Sequence, residues 1–196
     1  MEGEFRLLSA QEMAWLHENH MKRDFPPAEL KPIALLEKMR SEGRYEPYAL
    51  FQNGELTAYA FYWTAGEPYV LLDYFAVVPE RRNAGAGSQL LREMLDRFCV
   101  NGHGVFGEVE IPDTGVAEVD ELRQRRLNFY FRAGLQKRGF TTKIFSVPYI
   151  VLSYGPEISD AELIEINRKI YGGSLPKSIY EENIFFPWLY FASFFL

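Results

Sequence analysis

The residues with the clearest potential for chemistry form a basic, glycine-rich turn between an apolar run and a predicted helix. Residues 77–88 read Val-Val-Pro-Glu-Arg-Arg-Asn-Ala-Gly-Ala-Gly-Ser, and the apolar run before them begins at Tyr69. Backbone N–H groups in the first turn of a helix lack helical partners, and the helix dipole is positive there. Gly85 and Gly87 let the backbone approach a ligand closely. The sequence therefore predicts a binding site for a pyrophosphate group.

Two common nucleotide-binding loops do not fit this glycine-rich turn. A Walker A loop ends in Gly-Lys-Ser/Thr, whereas Gly87 is followed by Ser88 and Gln89. A dinucleotide-binding fingerprint requires a third glycine at the position where Leu90 stands. The structural alternative is an ordinary strand-turn-helix corner with glycines at a tight bend.

The glycine-rich turn resembles the acyl-CoA motif of the GNAT superfamily of acyl-CoA-dependent N-acyltransferases. The matching residues are Arg82-x-x-Gly85-x-Gly87, preceded by Val77-x-Pro79. A second block, Arg126-Leu127-Asn128-Phe129-Tyr130-Phe131-Arg132-Ala133-Gly134-Leu135, resembles the family's Phe-Tyr-x-Arg-x-Gly-Phe segment, with leucine where phenylalanine is usual. Upstream, Gly107-Glu108-Val109-Glu110 resembles the family's Leu-Glu-Val strand. The resemblance covers about residues 5–153.

The resemblance implies three catalytic residues. In the family, the tyrosine of the second block faces the thioester sulfur and acts as general acid, which assigns that role to Tyr130 because a phenol can protonate the departing thiolate. Glu108 stands where the family often carries the base that takes the proton of the amine. Glu110 lies on the same strand face and is expected to share this work or to hold the positive charge of the acceptor. The structural alternatives are aromatic packing for the tyrosine and solvated carboxylates for the glutamates.

The resemblance also implies cofactor contacts that are made mainly by the main chain. Strand amides and carbonyls are expected to hold the pantetheine and acyl group, and one amide to polarise the thioester carbonyl. Amides of the turn are expected to hold the pyrophosphate. The predicted cofactor-binding residues are Phe75, Ala76 and Val77 on the strand and Asn83, Ala84, Gly85, Ala86, Gly87 and Ser88 in the turn. The expected cofactor is acetyl-CoA, as acyl donor, without a metal ion.

The composition is that of a folded enzyme. The chain has 196 residues, of which 47% are hydrophobic and 16% aromatic, which fits one substantial core and excludes disorder. The net charge of −6 argues against a nucleic-acid partner, because such binding depends on neutralising phosphates. A single cysteine, Cys99, allows no internal disulfide. The acidic N-terminus lacks the apolar run of a signal peptide, so we expect a cytoplasmic location.

The elements that must position these residues alternate between helices and strands. The predicted strands are 5–8, 48–52, 55–63, 69–78, 105–111, 139–145 and 149–153, and the predicted helices are 9–22, 32–41, 87–100, 120–133 and 159–171. Ser9 and Glu12 predict a capping box, and Asn53-Gly54 predicts a tight hairpin. The order is similar to the α/β GNAT fold, a mixed, mostly antiparallel central sheet with two splayed parallel strands, flanked by helices.

Other polar clusters have simpler explanations. His17 and His20 lie one helical turn apart, but no third ligand is evident, so core or surface positions are favoured over a metal pair. Arg123, Arg125 and Arg126 are expected on a solvated helix face rather than in a nucleic-acid site. One of these arginines could still meet an acidic acceptor or the 3′-phosphate of the nucleotide.

The C-terminal stretch 185–196 is aromatic and carries no charged side chain. It is shorter than the about 20 apolar residues that cross a bilayer, so no membrane span is expected. Burial of each large apolar side chain is worth roughly 1.5–3 kcal/mol. We therefore expect the stretch to be ordered against the sheet, at the acceptor pocket or against a second subunit of a homodimer. The expected division is a catalytic domain, 1–155, and a C-terminal helix and tail, 156–196, packed on it or on that subunit.

Together these features predict an N-acetyltransferase that moves an acetyl group from acetyl-CoA to a primary amine of a small molecule or peptide by direct attack. The alternative is a CoA-binding regulatory or partner-binding module without turnover, which the presence of Glu108 and Tyr130 disfavours. A third interpretation is an interfacial protein that docks by its aromatic tail. The acceptor has no recognisable signature in the sequence.

Overall fold

The structure is a computed structural model that describes residues 3–64, 66–99 and 102–188. Its strands are β1 (Glu4–Leu7), β2 (Tyr45–Gln52), β3 (Glu55–Trp63), β4 (Tyr69–Val77), β5 (Gly104–Glu110), β6 (Gln136–Ile144), β7 (Val147–Tyr154) and β8 (Ile184–Trp188). Its helices are α1 (Ala10–Leu16), α2 (Lys22–Asp24), α3 (Ile33–Ser41), α4 (Ala86–Cys99), α5 (Ala117–Arg132), α6 (Asp160–Gly172) and α7 (Lys177–Asn183). A π-helical turn at His17–Met21 joins α1 to α2, and a 3₁₀ turn occupies Pro79–Arg81.

The eight strands form a mixed sheet in the order β1-β2-β3-β4-β5-β7-β6-β8. The sheet is mostly antiparallel with one parallel pair and is flanked by helices, which confirms the expected fold class. The chain divides into two compact units, one of residues 1–66 and 72–97 and the other of residues 67–71 and 98–196. β4 is shared, because residues 69–71 belong to the second unit and the rest of the strand to the first.

The first unit is built on an aromatic meander. β1, β2 and β3 pair antiparallel, and the β2–β3 hairpin closes through Asn53 and Gly54 with φ of 53° and 79°, as the sequence predicts. Residues 57–63 of β3 are buried without interruption, so this strand is covered on both faces. α4 buries the side chains of Leu90, Leu91, Met94 and Leu95.

The helical start of the first unit follows its sequence signals. Ser9 accepts from the N–H of Glu12, whose carboxylate accepts from the N–H of Ser9, so the predicted capping box is present. The helical segment continues through the π-helical turn to Asp24 and ends before Pro26, which cannot donate a helical hydrogen bond. α3 ends before Gly43, whose φ is 69°.

The second unit contains the β5-β7-β6-β8 part of the sheet, in which the neighbouring strands pair antiparallel. Glu108 of β5 lies opposite Val151, and Thr142 of β6 lies opposite Tyr149. α6 begins with a second capping box at Ser159. Its buried side chains are Leu163, Ile166, Asn167, Ile170 and Tyr171.

Several elements begin earlier than the sequence predicts. β2 and β6 each start three residues earlier, and Pro47 takes part in β2 by accepting a hydrogen bond from Leu8 through its carbonyl (2.8 Å). α5 begins at Ala117 rather than near Asp120. Asp120 lies in the first turn of α5 and not before it. Its carboxylate accepts hydrogen bonds from the backbone N–H and the hydroxyl of Thr114.

The C-terminal segment adds α7 and β8, which the sequence did not predict. β8 pairs with β6, and within it Phe186 is buried whereas Phe185 is 38% exposed. Residues 189–196 lie outside the described part of the chain. The burial of that part of the tail therefore stays a prediction. Among the residues described, no helix has the length and apolar character needed to cross a bilayer.

Candidate functional site

The glycine-rich turn of the first unit has the backbone geometry that its sequence predicts. The chain leaves β4 at Val77 and enters α4 at Ala86. Asn83 and Gly85 both have positive φ, 62° and 85°. The N–H of Gln89 donates to the carbonyl of Gly85 (3.0 Å), which closes the first helical turn. The amides of residues 86–88 therefore lie where a helix leaves N–H groups without helical partners.

The surroundings of the turn explain why it carries glycine and arginine. A Cβ on Gly85 would meet no atom within 4 Å, so the positive φ, and not lack of space, requires glycine there. Arg81 forms an ion pair with Glu55, and Arg82 Nε donates to the carbonyl of Val77 (3.2 Å). All nine predicted cofactor-binding residues lie on the one segment from Phe75 to Ser88, and the end of β4 is partly exposed.

Glu108, on β5 in the second unit, is the centre of a hydrogen-bond network. Its Oε1 accepts from Thr142 Oγ1 and from Asn167 Nδ2, both at 3.1 Å, and its Oε2 accepts from the hydroxyl of Tyr171 at 2.6 Å. Thr142 and Asn167 are fully buried, and Tyr171 is buried as well. We call these four residues the Glu108 network. Its three donors are neutral and match an ionised carboxylate, which only accepts hydrogen bonds.

Glu110, two residues along the same strand, has cationic partners instead. Its carboxylate forms ion pairs with Arg123 and with Arg126 of α5, the latter at 2.9 Å. Arg123 also donates to the carbonyl of Ile111 (2.9 Å). These contacts tie α5 to the end of β5 and compensate the charge of Glu110.

Tyr130 lies on α5 and is 8% exposed. Its ring packs against Phe129, with centroids 5.1 Å apart. Burial raises the pKa of Tyr130 to about 12, and the charge of Arg126 acts in the opposite direction. The phenol is therefore protonated at neutral pH, as a proton donor must be.

The predicted residues are distributed over both units. Glu108, Glu110 and Tyr130 belong to the second unit, and the glycine-rich turn belongs to the first. His17 is buried with Nε2 3.0 Å from the carbonyl of Lys31, while the ring of His20 lies against Trp15. In the described ranges, no three or more His, Cys, Asp or Glu side chains are grouped as a metal site.

Sequence reasoning missed Thr142, Asn167 and Tyr171. They lie 34, 59 and 63 positions from Glu108, beyond the reach of any local pattern. The only local signal is Asn167, a polar residue on the face of α6 that otherwise buries Leu163, Ile166 and Ile170.

A model of the acetyltransferase (GNAT) family matches residues 11–134. The chain belongs to this family. The match includes the glycine-rich turn, both β5 glutamates and Tyr130, and it confirms the resemblance inferred from the two motifs. The protein is therefore an acetyltransferase. The three donors of the Glu108 network lie beyond the matched residues. A comparison with curated proteins gives no significant match.

Solved structures share the fold. A protein of Bacteroides thetaiotaomicron assigned to the GNAT family is 22% identical, with a TM-score of 0.71, covering 88% of this chain and 99% of its own. The ribosomal-protein-S18-alanine N-acetyltransferase from Escherichia coli is 17% identical, with a TM-score of 0.57 and coverage of 81% and 98%. The spermidine/spermine N-acetyltransferase from Vibrio cholerae is 12% identical, with a TM-score of 0.56 and coverage of 78% and 94%.

Proposed function

We propose that this acetyltransferase moves an acetyl group from acetyl-CoA to a primary amine of a small molecule or peptide by direct attack. The observation that carries the proposal is the buried phenol of Tyr130, in a helix that lies within the residues matching the family. No covalent acyl-enzyme is required, because the amine nitrogen attacks the thioester carbon itself.

The donor is held by main-chain groups of the first unit. We assign the pantetheine and acyl group to Phe75, Ala76 and Val77 and the pyrophosphate to the amides of residues 83–88. Two features support this assignment: the positive φ of Asn83 and Gly85, and the helix that begins at Ala86. A helix N-terminus favours an anion through its dipole and its unpaired N–H groups.

Glu108 is the proton acceptor in this proposal. A protonated amine has no lone pair for attack, so its proton must leave first, directly or through a water molecule. Thr142, Asn167 and Tyr171 orient the Glu108 carboxylate, and Glu108 stands where the family resemblance places the base, whereas Glu110 faces two arginines. We therefore assign the base to Glu108 and a supporting role to Glu110, whose contact with the acceptor stays a prediction.

Tyr130 is the proton donor. Attack forms the N–C bond, and collapse of the tetrahedral intermediate breaks the C–S bond and leaves a thiolate on CoA. The hydroxyl of Tyr130 protonates that sulfur. The ammonium group gives its first proton to Glu108 before attack, and the nitrogen loses its second proton to solvent as the intermediate collapses. Solvent exchange returns both residues to their starting states.

The C-terminal segment is proposed to pack on the same domain. β8 pairs with β6, and α6 supplies two donors to Glu108, which supports this arrangement for residues 156–188. The homodimer and the cytoplasmic location stay predictions.

Calorimetry with acetyl-CoA, followed by CoA release with an amine panel, tests the function. The panel contains amino acids, polyamines, aminoglycosides and peptide N-termini, because the structural neighbours include enzymes named for spermidine/spermine and for an alanine of a ribosomal protein. Acetyl-CoA binding with acetylation of a panel amine is the expected result. Binding without turnover on any amine favours the CoA-binding module instead, and absence of binding contradicts both.

A further inference from the structure

Lys31, between α2 and α3 in the first unit, places its ammonium in a cage of one carboxylate and aromatic side chains. Its Nζ lies 2.8 Å from each carboxylate oxygen of Asp73. The same nitrogen lies 4.8 Å from the centre of the Trp63 ring and 5.1 Å from that of Tyr74. The hydroxyl of Tyr45 donates to the Asp73 carboxylate. A carboxylate with aromatic faces around it is a binding site for an alkylammonium group.

The backbone around Lys31 is fixed without help from its ammonium. The N–H of Lys31 donates to the hydroxyl of Tyr74 (2.8 Å), which donates to the carbonyl of Glu29 (2.6 Å). The carbonyl of Lys31 lies 3.0 Å from Nε2 of His17. The Lys31 side chain is 19% exposed, whereas that of Asp73 is only 8% exposed. The Lys31 side chain therefore keeps some contact with solvent, and the main-chain hydrogen bonds of the segment do not depend on its ammonium.

Asp73 lies next to the residues assigned to the acyl group. Strand side chains alternate, so Asp73, Phe75 and Val77 project from the same face of β4. Residues two apart on a strand are separated by about 6.6 Å. A cation bound at Asp73 is thus about one strand repeat from Phe75, where the donor is proposed to lie.

We propose that Asp73, Tyr45, Trp63 and Tyr74 form an ammonium subsite for the acceptor, filled by Lys31 until a cationic acceptor displaces its side chain. The inference rests on the proposed function and adds the substrate class to it. The acceptor is an aliphatic diamine or polyamine. One of its ammonium groups occupies the subsite, and another nitrogen, after losing its proton, attacks the acetyl group.

Binding of n-butylamine to a Lys31→Ala variant tests the subsite without acetyl-CoA. The probe replaces the deleted side chain, so calorimetry should show at least tenfold tighter binding to Lys31→Ala than to the wild type. The double variant Lys31→Ala/Asp73→Asn should lose this binding, and uncharged 1-butanol should not bind. Lys22→Ala is the matched control, because it removes an exposed lysine paired with Glu18. Equal affinity of n-butylamine for the wild type, Lys31→Ala and Lys22→Ala would mean that the cluster is only a structural ion pair.

Turnover gives the second measurement. 1,4-Diaminobutane and n-butylamine have the same carbon chain, but only the diamine can fill the subsite while its other nitrogen reacts. Asp73→Asn should raise KM for the diamine at least tenfold and change KM for n-butylamine by a smaller factor. If Lys31→Ala does not fold, Lys31→Met, which keeps the apolar stem, replaces it. Lys31→Met should have a lower KM for the diamine than the wild type. Equal changes in KM for both amines would overturn the proposed subsite. Acetyl-CoA binding and turnover of the wild type test the proposed function separately.

Discussion

The two units of this acetyltransferase differ in whether backbone or side-chain groups form the proposed functional parts. In the first unit the segment proposed to bind the cofactor, residues 75–88, depends on the backbone, through the positive φ of Asn83 and Gly85 and the start of α4. In the second unit the Glu108 network depends on three side chains from two other elements, β6 and α6. A backbone site leaves a short pattern of glycines in the sequence. A side-chain network assembled from distant positions leaves almost none.

The carboxylates of the two units differ in the same way. Asp73 in the first unit faces a cation, Lys31, whereas Glu108 in the second faces three neutral donors. A carboxylate that holds an ammonium group in a partly open cage is suited to recognise charge. Glu108, the proposed proton acceptor, is oriented by hydrogen bonds from side chains that carry no charge. The comparison therefore separates recognition from proton transfer, and each can be tested alone.

The largest effect is expected from Tyr130→Phe. The change keeps the ring and its packing but removes the proposed proton donor, so turnover should fall by roughly 10²–10⁴-fold, while calorimetry should give an unchanged acetyl-CoA affinity. Because burial raises the pKa of Tyr130 to about 12, its hydroxyl is protonated below that pH. We therefore expect no alkaline loss of kcat from Tyr130 until the pH approaches this value.

Tyr154→Phe is the control for this change, since Tyr154 is 39% exposed at the end of β7. It should leave turnover unchanged. Near-normal turnover of Tyr130→Phe would assign the proton transfer to water or another group and leave Tyr130 as a packing residue.

A smaller effect, on affinity alone, is expected from Gly85→Val. A β-branched residue is a strong outlier at a φ of 85°, so the turn should change shape and its amides should lose their alignment. Affinity for acetyl-CoA should fall at least tenfold, which corresponds to about 1.4 kcal/mol. Calorimetry on the folded variant measures the change.

Gly43→Val is the matched control for the turn. Gly43 also belongs to the first unit, has a φ of 69° and has no atom within 4 Å of an added Cβ. Valine at this position therefore imposes comparable backbone strain far from the turn in sequence. Only Gly85→Val should weaken acetyl-CoA binding. Equal affinity in both variants and the wild type would contradict the assignment of the turn.

The sequence predicted what depends on local pattern. The capping box at Ser9, the Asn53-Gly54 hairpin and the helix that follows Ser159 are confirmed, because each is determined by a few neighbouring residues. β2 and α5 begin three residues earlier than predicted. Residues 45–47 of β2 pair with residues 61–63 of β3, and the N–H of Thr114 donates to Asp120 in the first turn of α5. The Lys31 and Glu108 clusters were not predicted, because both join residues that are more than 25 positions apart.

The smallest effect is expected from Tyr171→Phe, which removes one donor of the Glu108 network. A hydrogen bond to a charged group contributes about 1.5–3 kcal/mol, but Thr142 and Asn167 continue to hold the carboxylate, so turnover should fall only about three- to tenfold. An anion with fewer hydrogen bonds is more basic, so the acidic limb of the pH profile of kcat/KM should move to higher pH. Tyr180→Phe is the control: its ring also lies near Phe186, at 6.5 Å against 6.2 Å for Tyr171, but its hydroxyl is not among the three donors. If Tyr171→Phe keeps both its turnover and its pH profile, the hydroxyl of Tyr171 has no part in the reaction, and Tyr171 is a packing residue.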